Sequence, residues 1–526
     1  MKKSKPILLS HETELGPQVE DHESFSRRNF LKTSAIGLAG ILSGCAFAKK
    51  KIPPSPFTKG GINPISNNPI SNNPTFPNVL LILADDQGAH MSCINTPGIS
   101  TPNMDDLAKD GVMFLNAHSS CASCSPSRSS ILTGMYPHSN GHWRNTVTPV
   151  IDAPEKEFGH ESSTLDAVGV HEDIPTLTEI LNKHNYFTGI TRKWHLSPHW
   201  KFPFHKRIQC DHTSWQTKEK CAEFFKESGN KPFFLKLNIT NTHRPFKLHI
   251  FNKKLRVPPE NVHVPPQLAD TKMMREDLSD YYSNVQCLDE TVGTTIEALR
   301  ESGKFDNTIV IYTSDHGWVY HRAKASVYDA GTHVPLIISG PGIKRGKVVK
   351  DGVSLIDIMP TILDYAKIKI PKNVQGISLM PLLEGKPGAK GRELVFAEHH
   401  AHGPGHFYPS RSVTDGRIHY IVNLMPERKG QIITDAKQEK IWGNRSYEAT
   451  VKAKDEFPAQ YELLDRTINR PAEELYDLHT DPGEINNLIN DPRYASFLEK
   501  MRVAMKEWRK ETNDTIDDPR RIVRRT

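Results

Sequence analysis

Long hydrophobic runs are missing from this chain of 526 residues. The apolar stretch Ile36–Leu42 near the N-terminus is too short to cross a bilayer as a stable helix. Cysteine is scarce as well: there are seven, an odd count, so not every thiol can sit in an intramolecular disulfide. Cys121 and Cys124 form a Cys-x-x-Cys pair, but no second pair follows at a spacing that would close a zinc site, and no thioredoxin-like context surrounds it. Cys210 and Cys221 are near enough in sequence to pair in an oxidising compartment. The chain also lacks the basic stripe with interleaved aromatics expected of a nucleic-acid surface. Its net charge of +6 is mild and spread out, which fits an anionic substrate and otherwise a solvated surface.

What is present begins with export. "SRRNFLK" (Ser26–Lys32) sets two arginines ahead of the Ile36–Leu42 run, in the manner of a twin-arginine export signal. "LSGCA" (Leu42–Ala46) resembles a lipobox with Cys45 as the acylated residue; cleavage after "AFA" is the alternative. The Asn/Pro/Ser repeat of Asn63–Pro74 has nothing to bury and reads as a flexible tether. These features predict a signal segment over 1–48, a linker over 49–76, and a periplasmic or membrane-anchored lipoprotein that meets the membrane only through the lipid. The export machinery would then be one partner.

From Pro77 onward the pattern changes. Val79–Leu83 is a continuous apolar run that stops at two aspartates, as a strand buried on both faces would. A helix follows, with Thr101 as its N-cap and Pro102 in its first turn. "VMFLNA", "YFTGIT", "KPFFLKLNI" and "NTIVIYTS" repeat the apolar strand, and Pro175–Asn185 has the period of an amphipathic helix. Such alternation predicts an α/β domain over 77–387, with a large, mainly parallel sheet covered by helices on both faces. Beyond residue 387 the texture shifts to "RSVTDGRIHYIVNL", which alternates like an exposed antiparallel strand, and to a terminal amphipathic helix, "YASFLEKMRVAMKEWRKE". A smaller α+β subdomain is expected over 388–526.

Active sites in parallel sheets gather at the carboxyl ends of the strands. Asp85, Asp86, Asp315 and His316 all fall there. Three carboxylates are hard oxygen donors suited to Ca²⁺, and less so to Mg²⁺; His316 could ligate or stand behind the ligands.

"CSPSR" (Cys124–Arg128) matches the Cys-x-Pro-Ser-Arg signature of the sulfatases, and the chain is similar to that family from Pro77 almost to its end. "NVLLILADDQG" resembles the family's first strand with its metal aspartates. "RKWHL" resembles its Gly-Lys-Trp-His-Leu block, with Arg192 in place of the glycine, and carries over Lys193 and His195. "FFLKLNITNTHRPF" places an active-site histidine at His243, "YTSDHG" supplies Asp315 and His316, and "KASVYDAGTHVPLII" places a lysine at Lys324.

The resemblance implies an alkaline-phosphatase-like fold and a cysteine, Cys124, converted to Cα-formylglycine by a maturation enzyme. A hydrated aldehyde on a divalent cation would attack sulfur, and its second hydroxyl would then expel sulfate. By the same resemblance, Arg128 and His195 hold or deprotonate the diol, Lys193 adds positive charge, and His243 with Lys324 meets the sulfate and leaving atom. "GVSLIDIMPTILDYAKIKIP" (Gly352–Pro371) is similar to the heparan N-sulfatase group, whereas Asp315-His316-Gly317 differs from the Asp-Asn-Gly of that group and Lys324 looks more like the O-sulfatase pattern. A sulfated oligo- or polysaccharide is the expected substrate, with N- and O-sulfate both open. His402, His406 and Arg411 in "EHHAHGPGHFYPSR" are candidate substrate-facing residues. A phosphonate or phosphate monoester hydrolase of the same superfamily is the alternative enzyme. A lipoprotein that binds sulfated glycan without turnover is the alternative of another class.

Overall fold

The computed structural model describes residues 76–146, 168–403, 407–430, 432 and 445–515. The signal segment with Cys45, nearly all of the linker, and His406 lie outside the described residues.

The larger of two sheets has eight strands: β1 (Asn78–Ala84), β2 (Gly111–His118), β3 (Phe187–Thr191), β4 (Lys206–Ile208), β5 (Phe233–Ile239), β6 (Thr308–Ser314), β7 (Leu336–Ser339) and β8 (Lys347–Ser354). They lie in the order β4-β3-β5-β1-β6-β7-β2-β8. Only β7 runs against its neighbours, so the expectation of a mainly parallel sheet holds. The seven residues of β1 are all buried, and alternate ones feed opposite layers. Val79, Leu81 and Leu83 pack in one apolar cluster, and Leu80, Ile82 and Ala84 in the other. Among the helices, α1 (Pro102–Lys109), α4 (Ser214–Glu227) and α5 (Lys272–Glu301) cover the second face, while α2 (Cys124–Thr133), α3 (Leu177–Lys183) and α6 (Ile358–Tyr365) cover the first. A strand buried on both faces must be apolar throughout, which is why these segments show no alternation.

Helix α1 starts at the expected residue, but by another device. The Thr101 side chain makes no cap bond to the helix. Asp289 of α5 supplies it, accepting from the Met104 amide at 2.8 Å and from the Asn103 amide at 3.2 Å. The cap thus also ties two helices together.

The smaller sheet is antiparallel, in the order β12-β11-β10-β9, with β9 (Val395–His399), β10 (Ser410–Thr414), β11 (Ile418–Asn423) and β12 (Glu473–Asp477). The segment expected as one exposed strand is the buried hairpin β10–β11, turned at Asp415–Arg417. The terminal helix α7 (Ala495–Glu511) covers it with Leu498, Met501, Met505 and Trp508. The pairing that sequence leaves open to Cys210 and Cys221 is not formed: both are free, and Cys221 is buried in α4 within the apolar layer.

Arg411 is a correction of the same kind. It lies on β10, wholly buried, with Nε and Nη2 on Asp514 at 2.7 and 2.8 Å, so it bolts the end of α7 to the small sheet and does not face substrate. Burial alone would raise the Asp514 carboxyl, but Arg411 outweighs it and holds the group well below its ordinary range. The stabilisation is therefore complete above the ordinary carboxylate pKa of about 3.9 and fades as pH falls below it. Arg411→Ala is expected to cost about 3 kcal/mol in urea unfolding at neutral pH, because it removes the buried partner of Asp514 and leaves that carboxylate to the partly exposed Arg509, 3.0 Å away. A loss below 1 kcal/mol would contradict this placement.

Candidate active site

The site is built at the carboxyl edge of β1, β3, β5 and β6. Beyond β1 the chain turns sharply, Asp86 taking φ +61°, so that two adjacent aspartates point the same way. Asp315 and His316 follow β6 directly. Cys124 opens α2, and the helix N-terminus presents backbone amides and positive field to the same space.

These groups converge. The Cys124 sulfur lies 3.8 Å from Asp85 Oδ1, 3.9 Å from Asp86 Oδ1 and 3.4 Å from His316 Nε2. Asp85, Asp86, Asp315 and His316 are all buried. His316 Nδ1 donates to the Gly317 carbonyl at 2.8 Å, which turns the other nitrogen toward Asp86 at 3.2 Å. That is the orientation of a ligating imidazole held by an outer hydrogen bond. Burial opposes charge on His316, yet Asp315, the Cys124 sulfur and Asp86 together push its pKa up to about 9. Three hard oxygens and a backed imidazole fit a divalent cation such as Ca²⁺.

Three cations complete the cluster. Arg128, wholly buried, bonds Asp315 through Nε at 2.9 Å and Asp85 through Nη2 at 3.0 Å. Lys193 reaches both oxygens of Asp85 at 2.7 and 2.8 Å, and Lys324 both oxygens of Asp86 at 2.6 and 2.8 Å. Burial would raise the two aspartates; Lys193 and Arg128 for Asp85, and Lys324 for Asp86, hold them well below the carboxylate range instead.

A cavity of about 520 Å³ opens beside the cluster, lined by Asp85, Lys193, His195 and His243 among others. Burial and the nearby Lys193 depress His195 far below its ordinary value, and its buried Nδ1 has no hydrogen-bond partner among the described residues. Burial lowers His243 to about 4 despite Asp86, 3.8 Å away. Both are neutral at pH 7. His402 packs beside Cys124 through Ser123 and Asn145. Its Nδ1 is 3.0 Å from Ser123 Oγ, and its Nε2 is 3.2 Å from Asn145 Nδ2, whose side chain also takes the Ser125 amide.

Sequence reasoning passed over Asn238. Its Oδ1 accepts from Arg128 at 2.8 Å and from the buried Lys236 at 2.7 Å, and its Nδ2 donates to the carbonyls of Thr191 and Lys193. One amide therefore aligns Arg128 with the loop that carries Lys193 and His195. The signal was there: Lys236 and Asn238 are polar residues two apart in an otherwise apolar strand buried on both faces. Arg192, in place of glycine, sits at φ +49° and is held by the Asn238 carbonyl at 2.9 Å and Thr217 Oγ1 at 2.5 Å.

A family model described as Sulfatase matches residues 77–368, and one described as N-sulphoglucosamine sulphohydrolase, C-terminal, matches residues 314–424. The human N-sulphoglucosamine sulphohydrolase is 30% identical over 476 residues, covering 83% of this chain and 90% of that protein. An ulvan-active sulfatase of Formosa agariphila is 26% identical over 488 residues, covering 84% and 76%. The solved structure of a 2-O GAG sulfatase superposes with TM-score 0.61 at 23% identity, covering 85% of this chain and 96% of that one.

Asp86→Asn is expected to weaken Ca²⁺ binding, followed by calorimetric titration, by about a hundredfold. Unchanged affinity would remove Asp86 from the ligand set.

Proposed function

The chain belongs to the sulfatase family, and from that premise we propose that it removes sulfate, as an ester or an N-sulfate, from a sulfated glycan. The convergence of Cys124 at a helix N-terminus with three carboxylates and three cations carries the reading. The glycan follows from the N-sulphoglucosamine enzyme to which the chain is 30% identical. Under the proposal a maturation enzyme converts Cys124 to Cα-formylglycine, and Asp85, Asp86, Asp315 and His316 hold a divalent cation, Ca²⁺ before Mg²⁺. Together these groups supply an activated oxygen nucleophile and a positive centre for the sulfate oxygens. Export by the "SRRNFLK" signal and lipidation at Cys45 belong to the same proposal and rest on those motifs.

The chain's own residues then have separable tasks. Arg128 fixes the spacing of Asp85 and Asp315 and brings a buried positive charge to the site. Lys193 and Lys324 present ammonium groups where negative charge gathers on the transferring SO₃. His195, neutral and with a bare Nδ1, can take a proton from the group at position 124. His243 donates from Nδ1 to the Arg244 carbonyl at 2.6 Å, so its neutral ring turns an unprotonated Nε2 toward the site. Lys324, by contrast, carries its proton at neutral pH: burial would lower its pKa, but Asp86 raises it well above the ordinary value. On this reading Lys324 stands as the proton donor at the leaving atom, and His243 accepts a hydrogen bond from the substrate.

Sulfate release by protein from a host that makes formylglycine, measured on N- and O-sulfated disaccharides with a phosphonate monoester beside them, tests the reading. Turnover of a sulfated sugar that falls by about 10³-fold or more in Cys124→Ala, and by about 10²–10³-fold in Lys324→Ala, is expected. Preference for the phosphonate monoester, or binding of the sugars without turnover, would replace it with one of the alternatives.

A further inference from the structure

One wall of the active-site cavity is made by histidines. His212 and His249 stand in that wall with ring centroids 4.1 Å apart. Three residues beyond His212, Trp215 is 61% exposed near the start of α4. Two residues beyond His249, Phe251 meets it edge-on at 5.7 Å, and the neighbouring Leu248 is 77% exposed. A pair of imidazoles inside thus leads to a pair of larger rings outside. Glu290 of α5 locks the two segments together, accepting from Ser214 Oγ at 2.6 Å and from Asn252 Nδ2 at 2.7 Å. The rings form a fixed shelf, and contiguous exposed apolar surface of this kind marks a contact site.

The same shelf is basic. Between His243 and Pro259 there is no Asp or Glu, but five arginines and lysines. Arg244 is spent on Asp277, at 2.6 and 2.9 Å, and Arg256 lies 3.3 Å from Asp280. Lys247, Lys253 and Lys254 are exposed and make no ion pair among the described residues. The nearby carboxylates are engaged: Glu290 as above, and Asp211 with the Thr213 amide at 2.8 Å. No single stretch of sequence displays this arrangement, because Trp215 comes from a different element.

Pyranose rings offer C–H faces to aromatic side chains, and their sulfates offer charge to ammonium groups. We infer that this shelf binds the sulfated sugars adjoining the one that is desulfated, so that the enzyme acts on oligosaccharides in preference to monosaccharides. The inference rests on the sulfatase reading of the neighbouring cavity and deepens it. Trp215 supplies the stacking surface. Lys247, Lys253 and Lys254 supply attraction that salt screens.

Kinetics of the full chain on a sulfated monosaccharide and on a tetrasaccharide ending in the same sugar provide the test. The wild type should favour the tetrasaccharide in kcat/KM. The triple variant Lys247→Ala, Lys253→Ala, Lys254→Ala should raise the tetrasaccharide KM about tenfold, and Trp215→Ala several-fold, with monosaccharide kinetics unchanged. Salt at about 0.3 M should shrink the effect of the triple variant, but not that of Trp215→Ala. Equal kinetics of variants and wild type on the tetrasaccharide, or equal losses on both substrates, would overturn the inference. If the wild type released sulfate from neither substrate, the sulfatase reading would be at fault. The shelf would then be judged by calorimetric titration with the tetrasaccharide, where an affinity unaltered in the variants would overturn it separately.

Discussion

Three carboxylates buried side by side repel one another and have given up their hydration, and the architecture around them answers that cost. Asp85, Asp86 and Asp315 sit at the ends of neighbouring strands because β1 and β6 are paired in parallel and stop at the same level. Arg128 bridges two of them from α2, and the lysines that follow β3 and β6 take the remaining oxygens. With three acids against three bases the cluster is near balance, so a bound dication would leave it positive. A pocket of that sign suits a group that arrives and leaves as an anion.

The balance requires each charge to be held in place, and no single element does so. Asn238 aligns Arg128 with the loop after β3, and Thr242 binds the Asp85 carbonyl at 2.6 Å. The small sheet contributes from outside the large one: the chain leaving β9 brings His402 against Ser123, which precedes the residue that would be modified, and against Asn145, which holds the Ser125 amide. Arg411, one strand away, fixes the end of α7 to the same sheet. The small sheet is therefore part of the site as well as a cover for the core.

Much of this was legible in the sequence, for a physical reason. Strands buried on both faces are unmistakable as apolar runs, and a carboxylate at the end of one is conspicuous, so Asp85, Asp86, Asp315 and the parallel sheet could be read directly. "CSPSR" was legible by likeness rather than by chemistry, since nothing in its composition says that a thiol there meets three carboxylates. What escaped depends on three-dimensional neighbours. Arg411 looks like any loop arginine until Asp514, about a hundred residues on, is seen beside it. The hairpin β10–β11 alternates as an exposed strand does, yet α7 covers one face at Val413, Ile418 and Tyr420, and the other is buried too, with Ile421 against Val327 and Tyr328. Thr101 has the residue type and position of a cap, but a buried aspartate in another helix does the work. The segments of Trp215 and Lys253 are joined by Glu290 and by the contact of Trp215 with Phe251, none of which the sequence displays.

The most direct test of the account is the mass of the peptide containing Cys124, from protein made in a host that carries out the modification. The account predicts a species about 18 Da lighter than the cysteine form, sulfur and two hydrogens having left and oxygen entered, or the same mass raised by one water. Active protein whose peptide carries only unmodified cysteine would contradict it.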